Sequence, residues 1–229
     1  MSQKILFIIP HRLGRSPGQR FRCEQYISYL KENGFKITYS NLLSETDDLY
    51  FYKDGYVLIK FYILVKSIFL RLFDIIRSYN YDFIFIYREA IMIGTTFFER
   101  MLKLSGAKVI YDFDDSIWLN DTSDGNKKLS WLKNPEKTRE ICKLSNTVIV
   151  GNKYLFDYAK QFNNNVFIFP TTINTSYHNT QFKEKINNYN VCIGWTGTST
   201  TLKHFEKIVP VLKRIKSKYN SRIDFKLII

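Results

Sequence analysis

Short apolar runs alternate with helix-like segments along most of this 229-residue chain, and this property limits the possible folds more sharply than any other. The predicted strands are 5–9, 36–39, 83–87, 108–111, 147–150 and 166–169, and the predicted helices are 21–33, 94–105, 130–144 and 153–162. Such alternation is typical of βαβ units, which build an α/β fold with a parallel sheet and flanking helices. Right-handed crossovers would bring the loops after the strands to one edge of the sheet, where ligands bind in such folds.

A further strand–turn–helix unit begins late in the chain, after a polar stretch from 170 to 190. We therefore expect a Rossmann-like domain over 1–175, a linker over 176–190 and the start of a second Rossmann-like domain over 191–229. The final run, 224–229, is mostly apolar and would need cover on both faces. This predicts a second domain that is truncated after its second strand. The alternative is that these two strands complete a single domain.

The formal net charge is +13, which makes anionic partners plausible. The lysines are scattered, however, and the chain has no zinc-ligand, RNP-type or helix-turn-helix motif, so we do not expect nucleic acid as a partner. Nucleotide phosphates and an anionic membrane surface remain compatible with this charge. The three widely spaced cysteines form neither a disulfide framework nor a metal-ligand pattern, which indicates a reducing, cytoplasmic setting and no metal site.

The segment from 56 to 77 has the pattern of a long amphipathic helix. At about 100° per residue, its charged side chains project within an arc of about 140°. They are Lys60, Lys66, Arg71, Asp74 and Arg77. These charges are too frequent for a transmembrane span. Two interpretations stay open: a basic helix lying on the inner face of the cell membrane, or a helix packed on the sheet with its charged face in solvent.

The loop after the first strand contains four arginines, among them Arg20 and Arg22, and a helix follows it. Arginine forks and helix N-termini both bind phosphate or carboxylate oxygens, so this loop is a candidate anion or sugar site, or else a solvated basic loop. Its glycine spacing is not the dinucleotide fingerprint. The third strand ends in Tyr87-Arg88-Glu89, which places an ionic pair beside this loop.

Three carboxylates, Asp112, Asp114 and Asp115, follow one another at the end of the fourth strand. Carboxylates this close repel one another unless a metal, an arginine or a polyhydroxylated ligand neutralises them, and Arg20, Arg22 and Arg88 on neighbouring loops could do so. The segment also resembles the Asp-x-Asp-x-Thr nucleophile loop of haloacid-dehalogenase-type phosphatases, with Asp112, Asp114 and Ser116 in the corresponding places and Asp112 as the nucleophile. That family usually opens on this motif, whereas three strands precede it here. A third alternative is that the carboxylates only cap the next segment.

The late strand leads into a turn in which Gly194 and Gly197 flank Trp195-Thr196. Glycines allow the backbone to approach a diphosphate, and the N–H groups at the start of the following helix are donors. Thr198 would add a hydroxyl and Lys203 a positive charge. The pattern Gly-x-x-Gly is weak alone, but it gains weight at the opening of a second domain.

Together these motifs resemble the amino-terminal part of a group 1 (family four) glycosyltransferase of the GT-B fold, along nearly all of the chain. The resemblance is carried by Arg20-Phe-Arg22, Tyr87-Arg-Glu89, Tyr111-Asp-Phe-Asp-Asp115, Val148-Ile-Val-Gly-Asn152 with Tyr154-Leu155, Phe169-Pro-Thr171 and Ile193-Gly-Trp-Thr-Gly-Thr198 with Lys203. It implies two Rossmann-like domains facing a cleft. It further implies transfer of a sugar from a nucleotide-sugar donor with retention of configuration, with no cofactor and no required metal.

The resemblance also implies roles for the residues. The catalytic group, which would orient an acceptor hydroxyl or the transferred sugar, is Asp112, Asp114 and Asp115. The groups lining the side of a glycan or polyprenyl-linked acceptor are Arg20, Arg22, Arg88 and Glu89. The groups holding the donor phosphates are Gly194, Thr196, Gly197, Thr198 and Lys203.

Two departures from the family pattern matter. The family usually has an arginine just after the first glycine of the second domain, where this chain has Trp195-Thr196. Its Glu-x7-Glu motif would lie beyond Ile229. We therefore expect a cytoplasmic enzyme of surface-polysaccharide or glycolipid synthesis, inactive as this fragment, which lies at the membrane if the helix over 56–77 does. The alternatives are the phosphatase and a non-catalytic module that binds polyanions.

Overall fold

The computed structural model describes residues 2–119, 134–176, 190–197 and 201–228. The chain divides into two compact units, Met1–Asn174 and Thr175–Ile229.

The first unit contains a six-stranded sheet in which every pairing is parallel. Its strands are β1 Lys4–His11, β2 Lys36–Leu43, β3 Phe83–Tyr87, β4 Lys108–Phe113, β5 Thr147–Val150 and β6 Val166–Ile168. The order β2-β1-β3-β4-β5-β6 confirms the predicted α/β, Rossmann-like fold. The chain passes from β2 back across β1 to reach β3, so the order reverses between β1 and β3. Ligands of such sheets bind at the carboxyl ends of the strands beside this reversal.

Seven helices of the first unit are described. They are α1 Pro17–Arg22, α2 Ile27–Glu32, α3 Glu45–Phe51, α4 Val57–Ser78, α5 Phe97–Leu104, α6 Glu136–Leu144 and α7 Lys153–Lys160. The single helix predicted over 21–33 is wrong in detail, because Cys23 leaves helical geometry at φ −123° and a 3₁₀ turn separates α1 from α2. Helix α3 was not predicted, although Ser44 and Asp47 form a capping box that marks its start.

The two faces of the sheet are covered unequally. Leu6, Ile84, Tyr111 and Val148 belong to a large buried cluster that also includes residues of α5, α6 and α7. The opposite face has a smaller cluster centred on Phe7 with Cys23. An apolar cavity of about 220 Å³ lies on this second face, under the 3₁₀ turn and beside β4 and β5. The short α1–α2 segment therefore covers this face only in part.

Helix α4 is amphipathic as predicted, but the expectation that its charged face lies in solvent is wrong, and its association with a membrane stays a prediction. Arg71 and Asp74 are fully buried and Lys60 is nearly so, so the polar side faces the interior of the unit rather than water or lipid. Arg71 donates hydrogen bonds to Asp74 at 2.6 Å, to the Ser40 hydroxyl at 2.7 Å and to the carbonyl of Ile9 at 3.2 Å. Periodicity identifies two faces of a helix but not which one turns inward. Here paired charges turn inward.

The second unit contains two parallel strands, β7 Val191–Thr196 and β8 Ile223–Ile228, joined through α8 Leu202–Glu206 and α9 Val209–Tyr219. This is the strand–turn–helix–strand arrangement that the sequence predicts. Among the helices that the structure describes in either unit, none is both long and apolar enough to cross a membrane.

Candidate functional site

Five of the predicted residues meet at the carboxyl edge of the first sheet, beside the reversal of strand order. Asp112 is the second-last residue of β4, and Asp114 and Asp115 follow that strand. Arg88 follows β3, and Arg22 ends α1 after the loop from β1. The parallel register, with Tyr87 opposite Asp112, aligns the ends of β3 and β4.

Arg22 and Asp112 form a buried, bidentate ion pair. The Nε atom of Arg22 donates to Oδ1 of Asp112 at 3.0 Å, and its Nη2 donates to Oδ2 at 2.7 Å. Both side chains are 2% exposed, and Nη1 of Arg22 reaches the carbonyl of Phe169. Burial raises the pKa of Asp112 to about 6 despite its arginine partner. Because both carboxylate oxygens already accept hydrogen bonds, Asp112 is not presented as the nucleophile of a phosphatase.

Arg88 joins the other two carboxylates in a second, more open cluster with Tyr87. The Tyr87 hydroxyl donates to Oδ1 of Asp114 at 2.9 Å, and Arg88 donates to the same oxygen through Nε at 3.1 Å and Nη2 at 2.9 Å. The Nη2 atom of Arg88 also contacts Asp115. Exposure of the side chains rises from 14% at Asp114 to 34% at Arg88 and 64% at Asp115. This cluster therefore presents one carboxylate and part of one guanidinium to solvent.

The backbone at Arg88 is held in an unusual conformation. Its φ of 64° lies in the left-handed region, which non-glycine residues rarely adopt. The Arg88 N–H donates to the carbonyl of Asp112 at 2.8 Å, which ties the end of β3 to β4 in this conformation. Such strain persists where surrounding contacts impose it, and it is common at functional sites.

Gly18 in the first turn of α1 allows that helix to approach the cluster closely. A Cβ atom at this position would lie 2.5 Å from the Tyr87 hydroxyl and 2.7 Å from Oδ2 of Asp114. Sequence reasoning missed both Gly18 and the Tyr87 hydroxyl. The available signal was a glycine inside the first turn of a short helix. Because glycine weakens a helix, its presence there indicates that the backbone approaches another group closely.

Glu89 is engaged by a lysine that the sequence did not single out. Lys137 of α6 is buried, and its Nζ donates to Oε2 of Glu89 at 3.0 Å and to the carbonyl of Ile93 at 2.8 Å. Glu99 lies 3.5 Å from the same nitrogen. In this structure Glu89 therefore helps to fix the loop that follows β3, and nothing in the sequence spacing pointed to Lys137.

Arg20 lies outside these clusters. It is exposed, with its guanidinium 5.3 Å from the centroid of the Phe21 ring, and within the described ranges it forms no ion pair. The expectation that arginines neutralise the carboxylates is confirmed for Arg22 and Arg88 and wrong for Arg20. The described part of the chain also contains no group of three or more His, Cys, Asp or Glu side chains placed to hold a metal ion.

His11, at the end of β1, is a titratable group near this edge that the sequence did not single out. Its Nε2 lies 3.3 Å from the Tyr52 hydroxyl, and its buried Nδ1 has no hydrogen-bond partner within the described residues. Burial lowers the pKa of His11 to about 4, although the nearby Asp48 opposes this shift. The imidazole is therefore neutral at pH 7.

In the second unit, the predicted donor residues lie at the end of β7. Gly194 and Thr196 are within the strand, and Gly197 follows it. A Cβ atom on Gly197 would lie 2.4 Å from the Trp195 ring, so this position requires glycine, but its N–H already donates to the carbonyl of Ile228 at 3.0 Å. Thr198 lies outside the described residues. Lys203 is in α8, and the described atoms do not include its side chain.

Comparison with known proteins gives structural likeness without sequence likeness. No protein-family model and no curated protein sequence matches the chain. One similar solved structure is an alpha-glucosyltransferase in complex with UDP-glucose and DNA containing an abasic site, with a TM-score of 0.51 and 14% identity over 100% of this chain and 68% of that chain. Another is an alpha-glucosyltransferase in complex with UDP and a 13-mer DNA containing an HMU base. It has a TM-score of 0.51 and 15% identity over 98% of this chain and 66% of that chain. At this identity the likeness shows that the chain shares the fold of these enzymes.

Proposed function

We propose that this chain belongs to a retaining glycosyltransferase that moves a sugar from a nucleotide-sugar donor to a glycan or polyprenyl-linked acceptor in surface-polysaccharide synthesis. The observation that carries the proposal is the Arg88–Asp114–Asp115 cluster beside the strand-order reversal of a fold shared with UDP-glucose-binding enzymes. Support for the group 1 (family four) assignment comes from the motif resemblance alone.

In this proposal the three carboxylates have different roles. Asp112 is a positioning residue, because its oxygens are occupied by Arg22. Asp114 fixes Arg88, and the exposed Asp115 accepts a hydrogen bond from an acceptor hydroxyl. The free edge of the Arg88 guanidinium donates to an oxygen of the acceptor or its phosphate.

The donor diphosphate would rest near the end of β7. Thr196, Thr198 and Lys203 would bind it, while Gly194 and Gly197 would keep the backbone open. Since the Gly197 N–H is already bonded to β8, side chains and the helix start must supply the donors.

The test is transfer from UDP-, GDP- and dTDP-sugars by the full natural protein to three acceptors: a polyprenyl-phosphate-linked saccharide, a free oligosaccharide and duplex DNA. We expect transfer to one of the first two, with the donor's anomeric configuration retained in the product by NMR. Asp115→Asn should lower kcat/KM by roughly tenfold or more, since the amide oxygen accepts the hydroxyl's hydrogen bond less strongly than a carboxylate and cannot take up its proton.

Asp157→Asn is the matched control, because Asp157 is also an exposed, ion-paired carboxylate (57% against 64%) but lies on α7. It should leave transfer unchanged. Inverted product, equal losses in both variants, or transfer to DNA alone would each refute the corresponding part of the proposal.

A further inference from the structure

Helix α4 turns its apolar side to solvent over its whole length. The residues of this side, called the α4 outward face below, are Leu58, Phe61, Tyr62, Val65, Phe69, Leu72, Phe73 and Ile76. Leu58 is 84% exposed, Phe69 68% and Ile76 71%. Four of these residues are aromatic, and their rings alone leave roughly 400–600 Å² uncovered. The largest apolar patch on an ordinary monomer is about 300–600 Å² in total, and the four rings alone reach that size, which is typical of a patch that binds something.

The rotation of α4 is fixed by its buried polar side. Turning the outward face inward would expose Arg71 and Asp74 and break their hydrogen bonds to each other, to Ser40 and to the carbonyls of Ala90 and Ile9. Breaking such a buried network costs several kcal/mol. The apolar exposure is therefore a property of the folded unit, and the occupant must come to the helix.

The shape of the outward face selects among occupants. At about 100° per residue its side chains span an arc of about 120°, over a length of about 27 Å. A second helix covers only a narrow seam of two positions per heptad, which would leave Phe61 and Phe73 in water. A planar apolar medium covers the whole arc at once.

The residues at the two ends of α4 and the net charge of the chain also favour a planar apolar medium as the occupant. Tyr56 and Tyr79, at the two ends, are 48% and 63% exposed, and tyrosine prefers the polar–apolar boundary of a bilayer. The outward face has no charged side chain, while the chain carries a net charge of +13. That charge repels a second copy and attracts an anionic lipid surface.

We propose that the α4 outward face docks on an anionic lipid bilayer, with its aromatic rings below the headgroups and the helix axis in the membrane plane. Apolar insertion by this face, rather than contact through the basic residues of α4, holds the protein there. The inference is independent of the proposed function, because it concerns binding without sugar transfer.

The test is co-flotation of the intact chain with vesicles of phosphatidylcholine alone and of phosphatidylcholine with 30 mol% phosphatidylglycerol. We expect binding to the anionic vesicles and weaker binding to the neutral ones. Phe61→Ser/Phe69→Ser should lower the partition coefficient by about a hundredfold, roughly tenfold for each ring. Tyr29→Ser/Tyr154→Ser is the control on α2 and α7, with similarly exposed rings (65% and 61%), and should bind like the unchanged chain.

Two further measurements keep the result decisive. Phe69→Trp should show a blue-shifted emission component that brominated lipid quenches, which requires the ring to enter the bilayer. Absence of vesicle binding, or equal binding by Phe61→Ser/Phe69→Ser, would overturn the proposal. A dimer in sedimentation that this double variant abolishes, without vesicle binding, would assign the face to a second copy instead.

Discussion

The buried Arg22–Asp112 pair offers a test in which two single substitutions should respond to pH in opposite directions. Asp112→Leu leaves a buried guanidinium that cannot lose its proton, and it should cost about 3–5 kcal/mol of unfolding free energy at pH 7. Arg22→Met leaves a buried carboxyl that can neutralise itself by taking up a proton. Because the pKa of this carboxyl in the unfolded chain is near 3.9, its protonation limits the electrostatic cost of Arg22→Met to about 4 kcal/mol of unfolding free energy at pH 7.

The pH dependence follows from the raised pKa of Asp112, about 6 in the folded chain. Between the unfolded and folded pKa values the folded state binds more protons, so this carboxyl lowers the stability as pH rises. From pH 7 to pH 5 the unchanged protein therefore gains roughly 1 kcal/mol from Asp112, and Arg22→Met, with a still higher folded pKa, gains roughly twice as much. The cost of Arg22→Met should shrink by roughly 1 kcal/mol, while that of Asp112→Leu should grow by roughly 1 kcal/mol.

The assay is equilibrium urea unfolding of the unchanged protein, both single variants and Arg22→Met/Asp112→Leu at pH 7 and pH 5, with a common m-value as the two-state check. The double variant should recover most of the loss, because an apolar pair can replace a buried ion pair at little cost. Single-variant costs below about 1 kcal/mol, or pH shifts of the same sign, would refute the buried-pair account.

Two further outcomes follow from contacts at the same edge. Gly18→Ala should lower the free energy of unfolding by about 1–3 kcal/mol, because its Cβ would lie 2.5 Å from the Tyr87 hydroxyl. Gly151→Ala is the control, since its Cβ meets nothing nearer than 3.7 Å and should cost less. Both costs are measured by urea unfolding, and equal costs would contradict the close approach. His11, with a pKa lowered to about 4 in the fold, contributes stability that is present above pH 6.5 and lost towards pH 4, by about 3 kcal/mol. His11→Gln should flatten that loss in unfolding midpoints measured at each pH, and an unchanged profile would exclude this histidine as its source.

The sheet was predictable from the sequence because buried parallel strands are nearly continuous apolar runs. All six strands of the first unit lie where such runs occur, and β1, β2 and β4 only extend further than predicted. The break between α1 and α2 was not predicted; it follows directly after Arg22, which pairs with Asp112, 90 positions away along the chain. A contact of that separation leaves no trace in local periodicity.

For α4 the sequence predicted the helix and its two faces correctly but not its orientation. Its two faces were visible in the sequence, yet the rule that charges face water gave the wrong side. Arg71 and Asp74 neutralise each other. The Ser40 hydroxyl donates to Asp74 and accepts from Arg71, and backbone carbonyls accept the other hydrogen bonds of Arg71, so burial leaves few polar groups unpaired. A sequence pattern gives the hydrophobicity of each residue, whereas the inward orientation of the charged face depends on its hydrogen-bond partner Ser40 on β2.

The same reasoning separates residues that look equivalent in the sequence. Asp112, Asp114 and Asp115 are 2%, 14% and 64% exposed, and they differ correspondingly in how completely arginine and tyrosine occupy their oxygens. A group whose oxygens are fully occupied inside the protein positions its neighbours, and only a group with free oxygens can contact a ligand. The buried Asp112 therefore contributes mainly to stability, and the exposed Asp115 mainly to function. Substitution at Asp112 should lower the free energy of unfolding, whereas substitution at Asp115 should lower the rate of sugar transfer and leave the unfolding midpoint unchanged.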